Sequence, residues 1–285
     1  MWLSFALASA LLLAVRRIYE KRLSAEFGNF SLSFATLVFS LPFLLALFLF
    51  LPIPESFHLP LNFWWPLIVI WIFIYPIQNY FLYRSLREGE LSEVTPIGAL
   101  LPLFNIASSL YLIGEVPTSA GFVGIVITVV ATYLLLTDVA GFKGQTYNKP
   151  VLFMVVSVLC TAIGSTLDKI AIGASTPVFY SFVNILGASM VFLFLSFVYR
   201  ETSDFKKIGH HAGTFLILGI ILALAFVSFS TAFSLGPTSY TLAIRSGGFI
   251  LAALWGIFFL HESLSRKKLL ALVLFVMGTV ALALG

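Results

Sequence analysis

The chain has 285 residues, 60% of them hydrophobic and only 10% charged, with a mean hydropathy of +1.05 and a formal net charge of +4. A soluble domain carries roughly 25% charged residues, so this composition excludes one and indicates an integral membrane protein, all-α because each span is long and apolar. A single cysteine, Cys160, excludes a disulfide framework and a thiolate metal site, and the basic balance, scattered through short loops, is no argument for nucleic acid.

Hydrophobic runs separated by short polar punctuation predict ten transmembrane helices. They are Trp2 to Leu23, Ser31 to Leu51, Phe63 to Tyr83, Val94 to Ile113 and Ser119 to Leu136, then, after the linker DVAGFKGQTYNKP, a sixth from Val151 to about Asp168 or past it, Val178 to Tyr199, Thr214 to Leu235, Ser239 to Glu262 with its apolar Leu242 to Leu260, and Leu269 to Leu284. The run from Trp2 to Val15 is followed, not preceded, by basic residues, the reverse of a signal peptide. No loop exceeds about a dozen residues, so whatever the protein does must be done by the helices in the bilayer.

The two halves repeat. A shift of 148 residues sets Ser9 on Ser157, Ala14 on Ala162, Glu20-Lys21 on Asp168-Lys169 and Ser33-Phe34 on Ser181-Phe182. A shift of 147 sets Ser92 on Ser239, Glu115 on Glu262 and Thr132 on Thr279. Apolar coincidences mean little in so biased a composition, but these polar ones fall at equivalent span ends. The expected organisation is a five-helix repeat over 1–140, a linker over 141–150 and a second repeat over 151–285. Because five is odd, the second copy enters the membrane upside down, the inverted-repeat plan of secondary transporters, with a substrate site between the copies.

Loops after the odd-numbered spans hold fourteen Lys and Arg, whereas the other loops hold only Lys169. The positive-inside rule makes the fourteen-residue side cytoplasmic and puts both chain ends outside. A multi-pass protein of the plasma membrane is expected. A monomer satisfies this plan, and nothing in the sequence sets an oligomeric state.

The stretches LSEVTPIGALLPLFNIASSLYLIGEVPTSAGFVGIVITVVATYLL in the first half and LGPTSYTLAIRSGGFILAALWGIFFLHESLSRKKLLALVLFVMGTVALAL in the second share one frame. On these, and over essentially its whole length, the chain resembles the EamA-like members of the drug/metabolite transporter superfamily. In the second copy Ala243 and Phe249 occupy the places of Pro96 and Pro102, so the ninth span is expected to be straighter than the fourth. Arg245 stands where the first copy has Gly98, and His261 replaces the glycine before Glu262. The resemblance implies transport of small organic solutes, amino acids or other metabolites, by export or exchange. It also implies both ends in the cytoplasm, opposite to the charge count.

Arg245 lies inside the ninth run, where an ionised group costs about 2.5–3.5 kcal/mol or more. Three uses fit it: snorkelling to the interface, an internal ion pair, or a fork onto a substrate carboxylate or phosphate, for which its planar donors are suited. On the third span Trp71, Tyr75, Gln78 and Asn79 share one helical face, an aromatic and amide stripe fit either for a cavity wall or for helix-to-helix hydrogen bonds. Asn105 and Asn184 are single amides in the fourth and seventh spans, with the same two readings. The expected site lies between the third, fourth, eighth and ninth spans. The acids Glu20, Glu90, Glu93, Glu115, Asp168 and Glu262 all fall near predicted span ends, which argues for an uncoupled facilitator or exchanger rather than a proton-coupled one.

Catalytic motifs are missing from the sequence: there is no HExxH, GxSxG, GxxxxGK or CxxC, and no cofactor is expected. The expected partners are the lipid bilayer and a small organic solute, with an anionic head if Arg245 is its ligand. A carrier for phosphorylated or lipid-linked sugars would use Arg245 equally well. A non-transporting scaffold or sensor is the reading from another class, and it has no need of two oppositely oriented copies.

Overall fold

The computed structural model describes residues 1–23, 26–50, 60–89, 94–140, 149–247 and 266–285, and all regular structure among them is helical. The first repeat contributes α1 (Trp2–Leu23), α2 (Asn29–Phe50), α3 (Leu61–Val69, Ile70–Ile74 and Tyr75–Glu88, continuous), α4 (Leu101–Ile113) and α5 (Ser119–Ala140). The second contributes α6 (Lys149–Gly173), α7 (Pro177–Val198), α8 (Ala212–Leu235), α9 (Thr238–Ser246) and α10 (Arg266–Leu284). Asn29–Phe50, Leu61–Ser85, Lys149–Gly173, Pro177–Val198 and Thr202–Leu235 are long and apolar enough to cross a membrane, and Trp2–Arg16, Ile97–Ile113, Ser119–Leu134 and Leu269–Leu284 are shorter apolar helices. The expected straightness of the ninth span beyond Gly247, and the role of Glu262, fall on residues outside the described ones.

Two departures from plain α-helix have local causes. In α3, Leu61–Val69 passes through a π-turn, Ile70–Ile74, into Tyr75–Glu88. Pro76 has no N–H for the Ile72 carbonyl and crowds it; widening the preceding turn, so that the Tyr75 N–H reaches back to the Ile70 carbonyl, absorbs the misfit. The fourth run opens as a 3-10 turn, Thr95–Leu100, because Pro96 and Pro102 each remove a donor there. α4 ends at Gly114, whose φ of 70° lets the Glu115 N–H turn back to the Ser109 carbonyl.

Packing follows a two-fold relation between the repeats. α1 packs on α8, and its equivalent α6 packs on α3; α1 also meets α9, and α6 meets α4. The equivalent pairs α2 and α7, α4 and α9, and α5 and α10 pack on each other. Equivalent helices run in opposite directions. The start of α2 is held by residues just past the end of α7: Glu201 Oε2 accepts from the N–H groups of Phe30 and Ser31, both at 2.8 Å, and Asp204 Oδ2 accepts from the Gly28 N–H at 2.8 Å. At the opposite end, Glu115, just past α4, holds the start of α9. These carboxylates meet the orphan N–H groups and positive dipole ends of two helices.

The polarity of the bundle is inverted relative to a soluble protein. Ile72, Phe73, Met190, Phe194 and Phe197 are exposed, whereas Ser31, Thr36, Asn105, Thr166 and Asn184 are buried. Hydroxyls inside mostly donate to their own helix, as Thr36 does to Leu32 and Thr231 to Val227, so they need no water. An apolar surface over a hydrogen-bonded interior suits a bundle solvated by lipid.

Candidate functional site

A cavity of about 610 Å³ runs between the repeats. Its wall is built from Leu13, Arg16 and Glu20 of α1, Gln78 of α3, Gly98 and Leu101 at the entrance to α4, Ser157, Thr161 and Ser165 of α6, and Leu242, Arg245 and Ser246 of α9. Arg16 and Glu20 pair at 2.6 Å near the C-terminal end of α1, the end of the bundle where the basic loops lie. Arg245 stands about 10 Å along α9 from Thr238, which begins at the opposite end. Its Cζ lies 4.0 Å from the centre of the Phe229 ring, a cation–π contact that offsets part of the cost of placing a guanidinium there. Gly98, the pseudo-equivalent of Arg245, also faces the cavity, and among the described residues no atom beyond its own helix backbone and chain neighbours lies within 4 Å of where its Cβ would be. The two-fold is therefore broken at the cavity itself: one repeat presents a cation, the other presents space.

Beside the cavity a directional chain of hydrogen bonds crosses from α3 to α7 to α6. Trp71 Nε1 donates to Asn184 Oδ1 at 3.0 Å, and the Tyr75 hydroxyl approaches the same oxygen at 3.4 Å. Asn184 Nδ2 donates to the Tyr180 hydroxyl at 2.8 Å, which in turn donates to Asp168 Oδ1 at 2.5 Å. Arg245 lies within electrostatic range of both Asp168 and Tyr75. The π-turn carries Trp71 and delivers it against Gly187 of α7, where an added Cβ would lie 2.1 Å from the indole Cε2.

At the end of the bundle that carries both chain termini, polar contacts gather, some within the second repeat and some joining the two repeats. Lys169 Nζ donates to the carbonyls of Phe233 and Gly236, at 2.5 and 2.7 Å, and stands 3.5 Å from Glu115 Oε1. Glu115 Oε2 accepts from the Thr238 N–H at 2.9 Å and from the Thr238 hydroxyl. The Tyr240 hydroxyl accepts from the Thr118 N–H at 2.9 Å and fits because position 121 is glycine. Trp2 packs on Tyr240, and Gly285 lies beside Thr118.

Of the residues singled out in the sequence, Trp71, Tyr75 and Asn184 are brought together, and Gln78 and Arg245 share the cavity wall. Asn79 is not joined to them; its amide donates back to the Tyr75 carbonyl at 2.8 Å. Asn105 is fully buried and ties α4 to α6, with Nδ2 donating to the Ala162 carbonyl at 3.0 Å and to the Thr166 hydroxyl at 3.1 Å. The cavity is lined by α1 and α6, not by α8 as expected; α8 enters only through Phe229, behind Arg245. One of the acids taken for a span-end group is inside: α6 continues to Gly173, about 7.5 Å past Asp168, and that carboxylate closes the hydrogen-bonded chain. Ser157, Thr161 and Ser165, one turn apart on α6, were an unread signal of a polar helix face.

Two antiparallel helical copies, apolar outside and with a partly polar cavity between them, define a membrane bundle of the inverted-repeat class. The EamA-like transporter family is matched twice, over residues 1–137 and 148–284, and the chain belongs to that family. It is thus a membrane protein of a family of small-solute transporters. Among solved structures 29 chains match, and one titled "Crystal structure of protein" superposes with a TM-score of 0.80 at 17% identity, covering 99% of this chain and 96% of that one. At that identity the likeness establishes the shared fold and nothing more. No curated protein matches the chain.

Proposed function

We propose that the protein moves a small organic solute with an anionic head, an amino acid or other metabolite, by export or exchange through alternating access of ten spans. The observation that carries this reading is the position of Arg245 on the wall of a cavity between inverted repeats, beneath a closed end. A guanidinium forks onto a carboxylate, and Gln78, on the helix that also carries Trp71 and Tyr75, adds an amide. The Lys169–Glu115–Thr238 contacts join the two repeats and must break when that end opens. By the charge count the cavity's Arg16–Glu20 end faces the cytoplasm of a plasma-membrane protein, so the conformation is closed toward the outside. A scaffold would be served by a packed interface and gains nothing from this cavity.

Thermal unfolding of purified protein with a panel of small carboxylates, amino acids and sugar phosphates tests the reading. A true ligand at 100 times its Kd stabilises by about 2.7 kcal/mol, and the shift should vanish in Arg245→Ala. Stabilisation that survives in the alanine variant would return Arg245 to an anchoring role.

A further inference from the structure

We propose that Arg16 is an outer anion-binding residue of this cavity, met before Arg245 by a solute entering from the side of the basic loops, and that Glu20 is its tethered occupant, displaced as the anionic head arrives. This rests on the transport reading above and adds to it how the solute is admitted and let go.

Arg16 and Glu20 make a poor pair for any purpose confined to α1. An i,i+4 pair supports a helix best with the acid first; here the order is reversed, and Glu20 lies in the last turn, where the helix dipole disfavours an anion. Anchoring at the interface does not account for them either, because both side chains line the cavity and retain only 22% and 24% exposure. The contact itself is one-sided. Arg16 Nε and Nη2 both reach Glu20 Oε1, each at 2.6 Å, so the fork closes on one oxygen instead of two. Among the described residues Arg16 Nη1 and Glu20 Oε2 make no hydrogen bond. A planar guanidinium with donors to spare can take a second carboxylate, or a phosphate, before it releases the first.

Depth sets the two arginines in series. Trp2, at the start of α1, packs on Tyr240, near the start of α9, so both helices are counted from the same end of the bundle. At about 1.5 Å per residue, Arg16 stands roughly 13 Å farther from that end than Arg245, and so nearer the basic loops. The repeat relation marks both positions: the shift of 148 sets Arg16 on Gly164, as the shift of 147 sets Arg245 on Gly98. Gly164 is buried, and an added Cβ would lie 3.0 Å from Ile74 Cγ2, so α6 meets α3 at the place where α1 instead lines the cavity with a guanidinium. Each repeat thus gives the cavity one arginine whose counterpart is glycine. An ion pair of this exposure is worth little net, so an incoming anion replaces Glu20 at small cost, and Glu20, one helical turn away, recaptures Arg16 once the solute moves on.

The test uses a thiol deeper than Arg16, Ser165→Cys in a Cys160→Ser background, about 24 Å into α6 from its start at the basic-loop end. In lipid nanodiscs its modification by anionic sulfonatoethyl methanethiosulfonate is followed against reagent concentration, with the cationic trimethylammonioethyl analogue as control. An anion station on the way in makes the anionic rate saturate while the cationic rate stays linear; a field effect without binding changes the two slopes in opposite directions, shows no saturation and counts against the inference. Glu20→Gln should lower the half-saturating concentration about fivefold, the most that an exposed ion pair withholds. Arg16→Ala should make the anionic rate linear, and Arg245→Ala should leave it saturable. A linear anionic rate in the parent thiol variant overturns the inference with positions 16 and 20 untouched, so it stays refutable even if their variants fail to fold. Saturation that survives Arg16→Ala, or a half-saturation unmoved in Glu20→Gln, overturns it as well. Saturation lost in Arg245→Ala also overturns it and leaves the Arg245 reading standing, whereas failure of that reading shows separately, as solute stabilisation that survives Arg245→Ala.

Discussion

Truncating Glu115 to alanine should open the closed end of the bundle. Its carboxylate accepts from the backbone N–H and hydroxyl of Thr238 and stands 3.5 Å from the Lys169 ammonium, and all these contacts join one repeat to the other. A hydrogen bond to a charged group contributes about 1.5–3 kcal/mol, but Glu115 retains 24% of its side-chain exposure, so solvent screening trims both bonds and leaves the ion pair under about 1 kcal/mol. About 2–3 kcal/mol should therefore be lost from the closed state alone, shifting the balance toward opening about 30- to 150-fold. The readout is sided labelling of a cavity thiol, Ser165→Cys in a Cys160→Ser background, by a membrane-impermeant reagent. With Glu115 intact, labelling should come from the side of the basic loops; with Glu115→Ala it should appear from the side that bears Met1 and Gly285. An unchanged ratio of the two labelling rates would refute the assignment of these contacts as a closure.

Three further substitutions separate shape, space and glue. In Gly187→Ala the new methyl meets the Trp71 indole, so the ring must shift, at a stability cost of about 1–3 kcal/mol, with a changed tryptophan emission and weaker solute binding; unaltered emission and affinity would remove Trp71 from the site. Gly98→Leu fills open cavity rather than packed core, so transport should fall at least tenfold while the melting temperature stays within a few degrees; full transport would show that solute does not pass there. Asn105→Ala should lower stability by about 1 kcal/mol or less, because Asn105 Oδ1 has no partner to lose among the described residues, and should leave the KM for solute unchanged; a raised KM would place Asn105 in the site.

The repeat was legible because hydrophobic runs and polar punctuation are local properties, and the equivalence of Gly98 with Arg245 reappears as two residues that line one cavity. Arg245 announced itself by being charged inside an apolar run, and the Trp71–Tyr75 face by its helical spacing. Depth was harder to read. Whether Asp168 anchors at an interface or sits inside depends on how far α6 continues past it, and a Lys169 side chain turned toward backbone carbonyls lets that helix carry both charges. The π-turn at Ile70–Ile74 leaves no period in the sequence, although Pro76 marks the place where an α-turn fails. Nor could spacing alone tell that Asn105 bonds to α6 while Asn184 joins Trp71 and Tyr180; that choice is made by which helices the two-fold brings together.

The most direct measurement of the central claim is solute counterflow in proteoliposomes loaded with the best-stabilising amino acid, compared among wild type, Arg245→Ala and Arg245→Lys. Wild type should accumulate labelled solute against the preloaded pool, the alanine variant should lose at least nine-tenths of that flux with its fold retained, and lysine should restore little because a point charge cannot fork onto a carboxylate. Counterflow in Arg245→Ala equal to wild type would contradict the account.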